Sequence, residues 1–201
     1  MTSYTRVANL ALQKMGAEDT IVARDQDSHA ARTIDTAWDE VRRAAIRGGK
    51  KAPRWNCFER YAETPARAIT PALPLPYGWS AAYPMPDGAL RLAEIVFPVA
   101  AAEGGRWKFA SNEVLLKDAG PLKAWWLFDN DEPALWDSLF IETFAALLAF
   151  QCADRITGDR GRKQDCWAEY EANLAAATKV DATENPPVEP VESDWILARY
   201  R

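Results

Sequence analysis

Residue types that commonly carry catalysis and metal binding are scarce: the 201 residues include one histidine and three cysteines. That composition excludes a histidine-rich metal site. The separated cysteines Cys57, Cys152 and Cys166 include no CxxC pair, which disfavours a zinc site. Three cysteines cannot all pair with one another, so we expect a reduced, intracellular assembly environment. His29 adjoins Ser28, but neighbouring helical residues do not face each other, and we predict a structural role for it.

Long apolar runs and an excess of positive charge are also missing. The longest apolar run, from Phe144 to Phe150, is far shorter than the roughly 20 residues of a membrane-spanning helix. The first residues lack the continuous apolar segment of a signal peptide. The net charge of −5 is not the basic footprint of sequence-specific DNA binding, although it does not exclude a protein that surrounds passing DNA. We therefore expect no membrane partner and no sequence-specific DNA contact.

No segment has the pattern of a catalytic or cofactor-binding motif. Asp129, Asp131 and Glu132 lack the spacing and central glycine of a calcium loop, and we expect them at the positive end of the following helix. The run GDRGRK at 158–163 does not match a phosphate-binding loop. We predict no catalytic residue, no cofactor and no metal, hence no enzyme. The paired carboxylates of a glycoside hydrolase are defined by their spatial separation, so the sequence leaves that alternative open.

Apolar residues recur at helical spacing towards both ends of the chain. We predict helices at about 3–15, 28–47, 133–157 and 162–180. Asp27 or Ser28 would cap the second helix, and Asp131 or Glu132 the third. Six prolines between 65 and 86 predict an extended loop. The segment at about 88–128 predicts an antiparallel meander of three or four strands.

The predicted fold class is mainly α with a small antiparallel β-sheet (α+β): a bundle of about four helices, a β-meander insertion and an extended C-terminal tail. Residues 1–183 would form one domain and 184–201 an arm. At ~3.1 Å per residue, the proline-rich stretch 184–194 would span roughly 34 Å. We expect the arm to contact another surface through Trp195, Ile196, Leu197 and Tyr200. The alternative is that Trp195 packs on its own helices.

Two basic groups flank the predicted helices. The first, near the end of the second helix, comprises Arg42, Arg43, Arg47, Lys50 and Lys51. The second, around the turn between the last two helices, comprises Arg155, Arg160, Arg162 and Lys163. Cations near helix C-termini and in loops are favourable by themselves. The alternative interpretation is an electrostatic interface with an acidic partner surface or with passing DNA.

Several segments, in order, carry a resemblance to a known family. They are ANLALQKMGAEDTI, DSHAARTIDTAWDEVRRAAIR, WNCFERYAE, YPMPDGALRLAEI and PLKAWWLFDNDEPALWDSLFIETFAALLAFQCADRITGD. Together they resemble the tail tubular protein A family of short-tailed phages and prophages, the head-to-tail adaptor (gatekeeper) proteins that join portal to tail. Cys57 and Glu59 depart from the commoner alanine form of the third segment, and the stretch GGKKAPR before Trp55 is longer and more basic than the family's pattern.

The resemblance implies a structural protein that assembles in the host cytoplasm and resides in the neck or tail of the virion. It implies a ring of identical subunits, typically about twelve, bound to the portal above and to the tail nozzle or tube below. Genomic DNA would pass through the lumen. The arm would bind the portal or a neighbouring subunit through Trp195, Ile196, Leu197 and Tyr200. Two alternatives are a tail-associated cell-wall or capsule hydrolase, and another phage neck or head-completion protein, including one from a long-tailed virion.

Overall fold

The computed structural model describes residues 2–48, 52–96, 107–117 and 120–185. These residues form four α-helices and two three-stranded antiparallel sheets, so the predicted mainly α, α+β class is confirmed. The helices are α1 (Tyr4–Lys14), α2 (His29–Arg47), α3 (Ser138–Ile156) and α4 (Arg160–Glu184). None of the helices in the described ranges combines the length and the apolar character that crossing a bilayer requires.

Each helix begins where a short polar side chain accepts hydrogen bonds from free backbone amides of the first turn. These caps are Ser3, Ser28, Asp137 and Asp159. The prediction that Asp131 or Glu132 caps the third helix is wrong, because Pro133–Leu135 form a separate 3₁₀ turn and Trp136 has extended backbone. The fourth helix runs four residues beyond its predicted end at 180, to Glu184.

Replacing Asp137 with alanine is expected to lower the free energy of unfolding by about 1 kcal/mol. The Asp137 carboxylate accepts from the amides of Leu139 at 2.7 Å and Phe140 at 3.4 Å, and both amides would lose this partner. Urea denaturation measures the change. Asp165→Ala, at an exposed position within α4, is the control and should stay within about 0.5 kcal/mol of the wild type. Equal effects from the two variants would contradict the cap assignment.

Helix α3 lies at the centre of the helical part and packs against α1, α2 and α4. Because three helices surround it, its buried residues lie on nearly all of its faces rather than on one stripe. Its aromatic side chains belong to a cluster of rings. Phe144 packs edge-on against Trp38 with ring centroids 4.9 Å apart, and Phe140 packs edge-on against Trp136 with centroids 5.2 Å apart. Such edge-to-face pairs stabilise a core beyond their buried area.

The strands form two sheets rather than the single meander that we predicted. One sheet has the order β1 (Glu59–Thr64), β6 (Leu122–Phe128), β3 (Ala89–Ile95). The other has the order β2 (Ala81–Pro84), β5 (Glu113–Leu116), β4 (Trp107–Ala110). β1 lies outside the predicted β-segment and β2 lies within the predicted loop, so both predictions were wrong at these points. A proline is compatible with β2 because β2 is an edge strand and Pro84 is its final residue.

Strand β6 connects two hydrophobic cores. Leu127 packs into the helical core, whereas Leu122, Ala124 and Trp126 pack into the smaller core that includes residues of the second sheet. This division follows from the alternation of side chains along a strand. Among the described residues, the tryptophans buried inside the fold are Trp38, Trp55, Trp126 and Trp136.

Candidate functional site

The predicted contact residues of the arm lie outside the described residues. These are Trp195, Ile196, Leu197 and Tyr200, and the same holds for Lys50 and Lys51 of the first basic group. The described ranges contain the remaining basic residues, the acidic cluster and several exposed aromatic side chains.

Arg42 lies inside the domain, and this corrects the expectation that it faces a partner. Its side chain is 3% exposed and binds both oxygens of Asp129, at 2.8 Å through Nε and 3.1 Å through Nη2. Its Nη1 also donates to Asp39 at 2.7 Å and to Asp131 at 2.6 Å. A bidentate Arg–carboxylate pair is among the stronger charge-assisted contacts. This network ties α2 to the segment that follows β6.

The acidic cluster is the counterpart of Arg42 and does not lie at the N-terminus of α3, which corrects our expectation for Asp129 and Asp131. Asp131 also accepts from Trp38 Nε1 at 2.8 Å. Burial alone would raise the pKa of Asp129, but its hydrogen bonds to Arg42 and Arg43 outweigh burial and lower it. Burial likewise opposes the charge of Arg42, and its carboxylate partners raise its pKa above the usual value. Across the described ranges, no group of His, Cys, Asp and Glu is arranged to hold a metal ion.

The two basic groups lie at opposite ends of α2. At its beginning, His29 Nε2 donates to the carbonyl oxygen of Arg155 at 2.9 Å, which places the second group there. At its end, about 28 Å away, Arg43 and Arg47 are exposed. The fold does not combine them into one patch. His29 connects α2 to the end of α3, as its predicted structural role requires.

The other basic side chains differ in the contacts that they already make within the domain. Arg43 is 57% exposed but its Nε lies 2.8 Å from Asp129. Lys163 is bound to Asp154 and lies over the ring of Phe150 at 5.1 Å. Arg47, Arg160 and Arg162 are exposed.

Two separate aromatic patches lie at the surface, and the sequence alone did not single them out. The sheet patch is the edge-on pair of Tyr61 and Trp125, directly opposite each other on β1 and β6, with ring centroids 5.6 Å apart. These side chains are 47% and 38% exposed. The helix patch consists of Phe150, Trp167 and Tyr170, with successive centroids 4.9 and 5.2 Å apart. Only the pairing register and the helix packing reveal which rings meet.

A groove of about 340 Å³ lies beside the last turns of α4. We call it the α4 groove; its apolar lining includes Trp55, Leu135, Trp136, Leu139 and Val180. Leu135 is 59% exposed and Val180 is 42% exposed. The charged side chains that line it are all acidic: Asp137, Asp181 and Glu184. Hydrogen bonds fix its rim, because Asn185 Nδ2 donates to Asn56 at 3.1 Å and to Asp181 at 2.8 Å.

Glu59, on β1, has one buried carboxylate oxygen without a hydrogen-bond donor. Its Oε1 is buried and accepts no hydrogen bond, and the nearest cation, Arg54 Nη1, is 3.9 Å away. Burial raises the pKa of Glu59, which outweighs the opposing effect of Arg54. A raised carboxyl pKa means that the folded state disfavours the ionised form, so Glu59 destabilises the fold at neutral pH.

Replacing Glu59 with glutamine is accordingly expected to raise the free energy of unfolding at pH 7 by about 0.5–1 kcal/mol. The gain should shrink as the pH falls through the raised pKa of folded Glu59 and should be absent below about 4.3, because the wild-type carboxyl is then protonated in both states. Urea titrations at several pH values measure it. Glu63→Gln, at an exposed position on the same strand, is the control and should change the free energy of unfolding little. A gain that is independent of pH would contradict the assignment.

The sequence matches no protein-family model and no curated protein.

Proposed function

We propose that this chain is a structural head-to-tail connector of a bacteriophage virion, forming a ring between portal and tail through which DNA passes. The observation that carries the proposal is the presence of two unlike aromatic patches on different elements. A ring is built from heterologous contacts, in which one surface of a subunit meets a different surface of the next. The sheet patch and the helix patch provide such a pair, and exposed aromatic side chains are enriched at interfaces.

The sequence resemblance supports the same proposal, because its matching segments are spread over most of the chain. The net charge of −5 suits a channel in which carboxylates repel phosphate and DNA slides without being held. A tail-associated hydrolase would need free carboxylates, but Asp129 and Asp131, the acids we would test for that activity, are both bound to Arg42. This arrangement favours the connector over the hydrolase.

Mass photometry of the purified chain, alone and mixed with the cognate portal ring, tests the proposal. We expect a portal-bound species that carries about twelve copies, because each portal subunit would offer an equivalent contact. Binding of one or two copies, or no binding, would contradict it. Clearing of a cell-wall or capsule substrate by the purified chain, lost on mutation of Asp129 or Asp131, would favour the hydrolase instead. If twelve copies bound the portal of a long-tailed virion, the chain would be a neck connector of that class of phage.

A further inference from the structure

The α4 groove combines an apolar lining with a rim of one charge. Trp55 and Trp136 are nearly buried, whereas Leu135 and Val180 remain exposed to solvent. Exposed aliphatic side chains beside buried indoles are typical of a surface on which an apolar side chain is seated. The acidic lining residues favour a ligand that carries positive charge.

The sequence beyond Asn185 contains a segment with the complementary chemistry. Residues 195–201, WILARYR, combine four large apolar side chains with Arg199 and Arg201 and include no acidic residue. The preceding stretch 186–194, PPVEPVESD, has three acidic residues and no basic one. The charge pattern therefore directs 195–201 towards the acidic groove and disfavours contact between 186–194 and the same rim.

The length of the stretch 186–194 favours the groove of another copy. α4 ends at Glu184, which itself lines the groove. The nine residues 186–194 include three prolines and would extend about 28 Å at ~3.1 Å per residue. To reach the groove next to its own origin, the stretch would have to reverse direction. An extended spacer instead delivers Trp195 to an adjacent subunit.

We propose that the α4 groove binds residues 195–201 of a second copy of this chain, with Trp195 on the apolar lining and the arginines at the acidic rim. The inference rests on the proposed ring, in which each subunit would donate one arm and receive one. Each contact would be weak by itself, because ordering the arm costs free energy. In a closed ring, each arm would be held at high effective concentration near its groove, so the weak contacts would together stabilise the assembly.

Cysteine crosslinking of the full-length chain tests this placement, because Cys57 lines the groove. Single variants Ser193→Cys and Ala198→Cys are oxidised with copper phenanthroline at pH 8.5, since burial raises the pKa of the Cys57 thiol. We expect a Cys57-dependent ladder of covalent oligomers on non-reducing gels with at least one variant. The matched control carries Cys57→Ser in addition and should lose the ladder, because Cys152 and Cys166 are buried.

Substitutions distinguish the groove contact from random collision. Adding Trp195→Ala, or Leu135→Ser, to the crosslinking variant should lower the ladder yield at least tenfold. Adding Tyr77→Ala, which removes a fully exposed ring that belongs to neither aromatic patch, should leave the yield within about twofold. A Cys57-dependent crosslink that stays within the monomer, no crosslink at either position, or a ladder insensitive to Trp195→Ala would each overturn the proposal.

The crosslinking and portal-binding experiments together distinguish failure of the groove contact from failure of the proposed connector function. A portal-bound ring without the crosslink would overturn the groove contact and leave the proposed function standing. A crosslinked oligomer that does not bind portal would support the groove contact and count against the proposed function.

Discussion

Replacing Arg42 with methionine is expected to lower the free energy of unfolding by about 3–5 kcal/mol, enough to unfold much of the protein. The variant keeps a side chain of similar length but removes the cation that Asp39, Asp129 and Asp131 share. The partly buried Asp129 would then lose its bidentate partner. Circular dichroism during urea or thermal denaturation measures the loss.

Arg43→Met is the matched control, because this neighbouring arginine also contacts Asp129 but is 57% exposed. Exposed ion pairs contribute little, so we expect a loss below about 1 kcal/mol. If the two variants lost similar stability, the Arg42 network would not be the structural element that we describe.

Removing residues 186–201 is expected to leave the fold intact and to abolish stable retention on the portal. The described helices and sheets form two hydrophobic cores among themselves, and we expect removal of the segment to change the melting temperature little. Loss of the arm from every subunit removes the contacts that would hold neighbouring subunits together in the ring, and because the ring binds multivalently we expect portal affinity to fall by about 100-fold or more. Co-sedimentation of the truncated protein with portal rings measures the loss.

A second variant tests whether the arm acts through its side chains or only through its length. Replacing residues 195–201 with a Gly-Ser sequence of equal length should reproduce the loss, because the apolar contacts of Trp195, Ile196, Leu197 and Tyr200 are removed. Portal binding at wild-type affinity by the truncated chain would show that the arm is not an anchor.

The helices were predictable because their apolar spacing is local information. α2 begins one residue after the predicted cap Ser28 and ends at the predicted Arg47. The start of α3 was missed, since Pro133 can begin either a helix or a 3₁₀ turn and the packing of Trp136 decides between them. The division of the strands into two sheets was also missed, because pairing of β6 with both β1 and β3 depends on contacts distant in sequence.

The candidate site shows the same limit. Arg42 and Arg43 are adjacent and chemically identical in the sequence, yet one is buried among carboxylates and the other is exposed. Arg42 follows Trp38 by four residues and so lies on the buried face of α2, but its carboxylate partners Asp129 and Asp131 come from a distant segment after β6. The α4 groove likewise joins Trp55, Leu135 and Val180 from distant parts of the chain, and no local pattern brings them together.

Electron microscopy of the full-length chain mixed with cognate portal tests the central claim most directly. We expect a closed ring of about twelve subunits stacked coaxially on the portal, with an open channel along the axis. A population of free single subunits beside undecorated portal rings would contradict it.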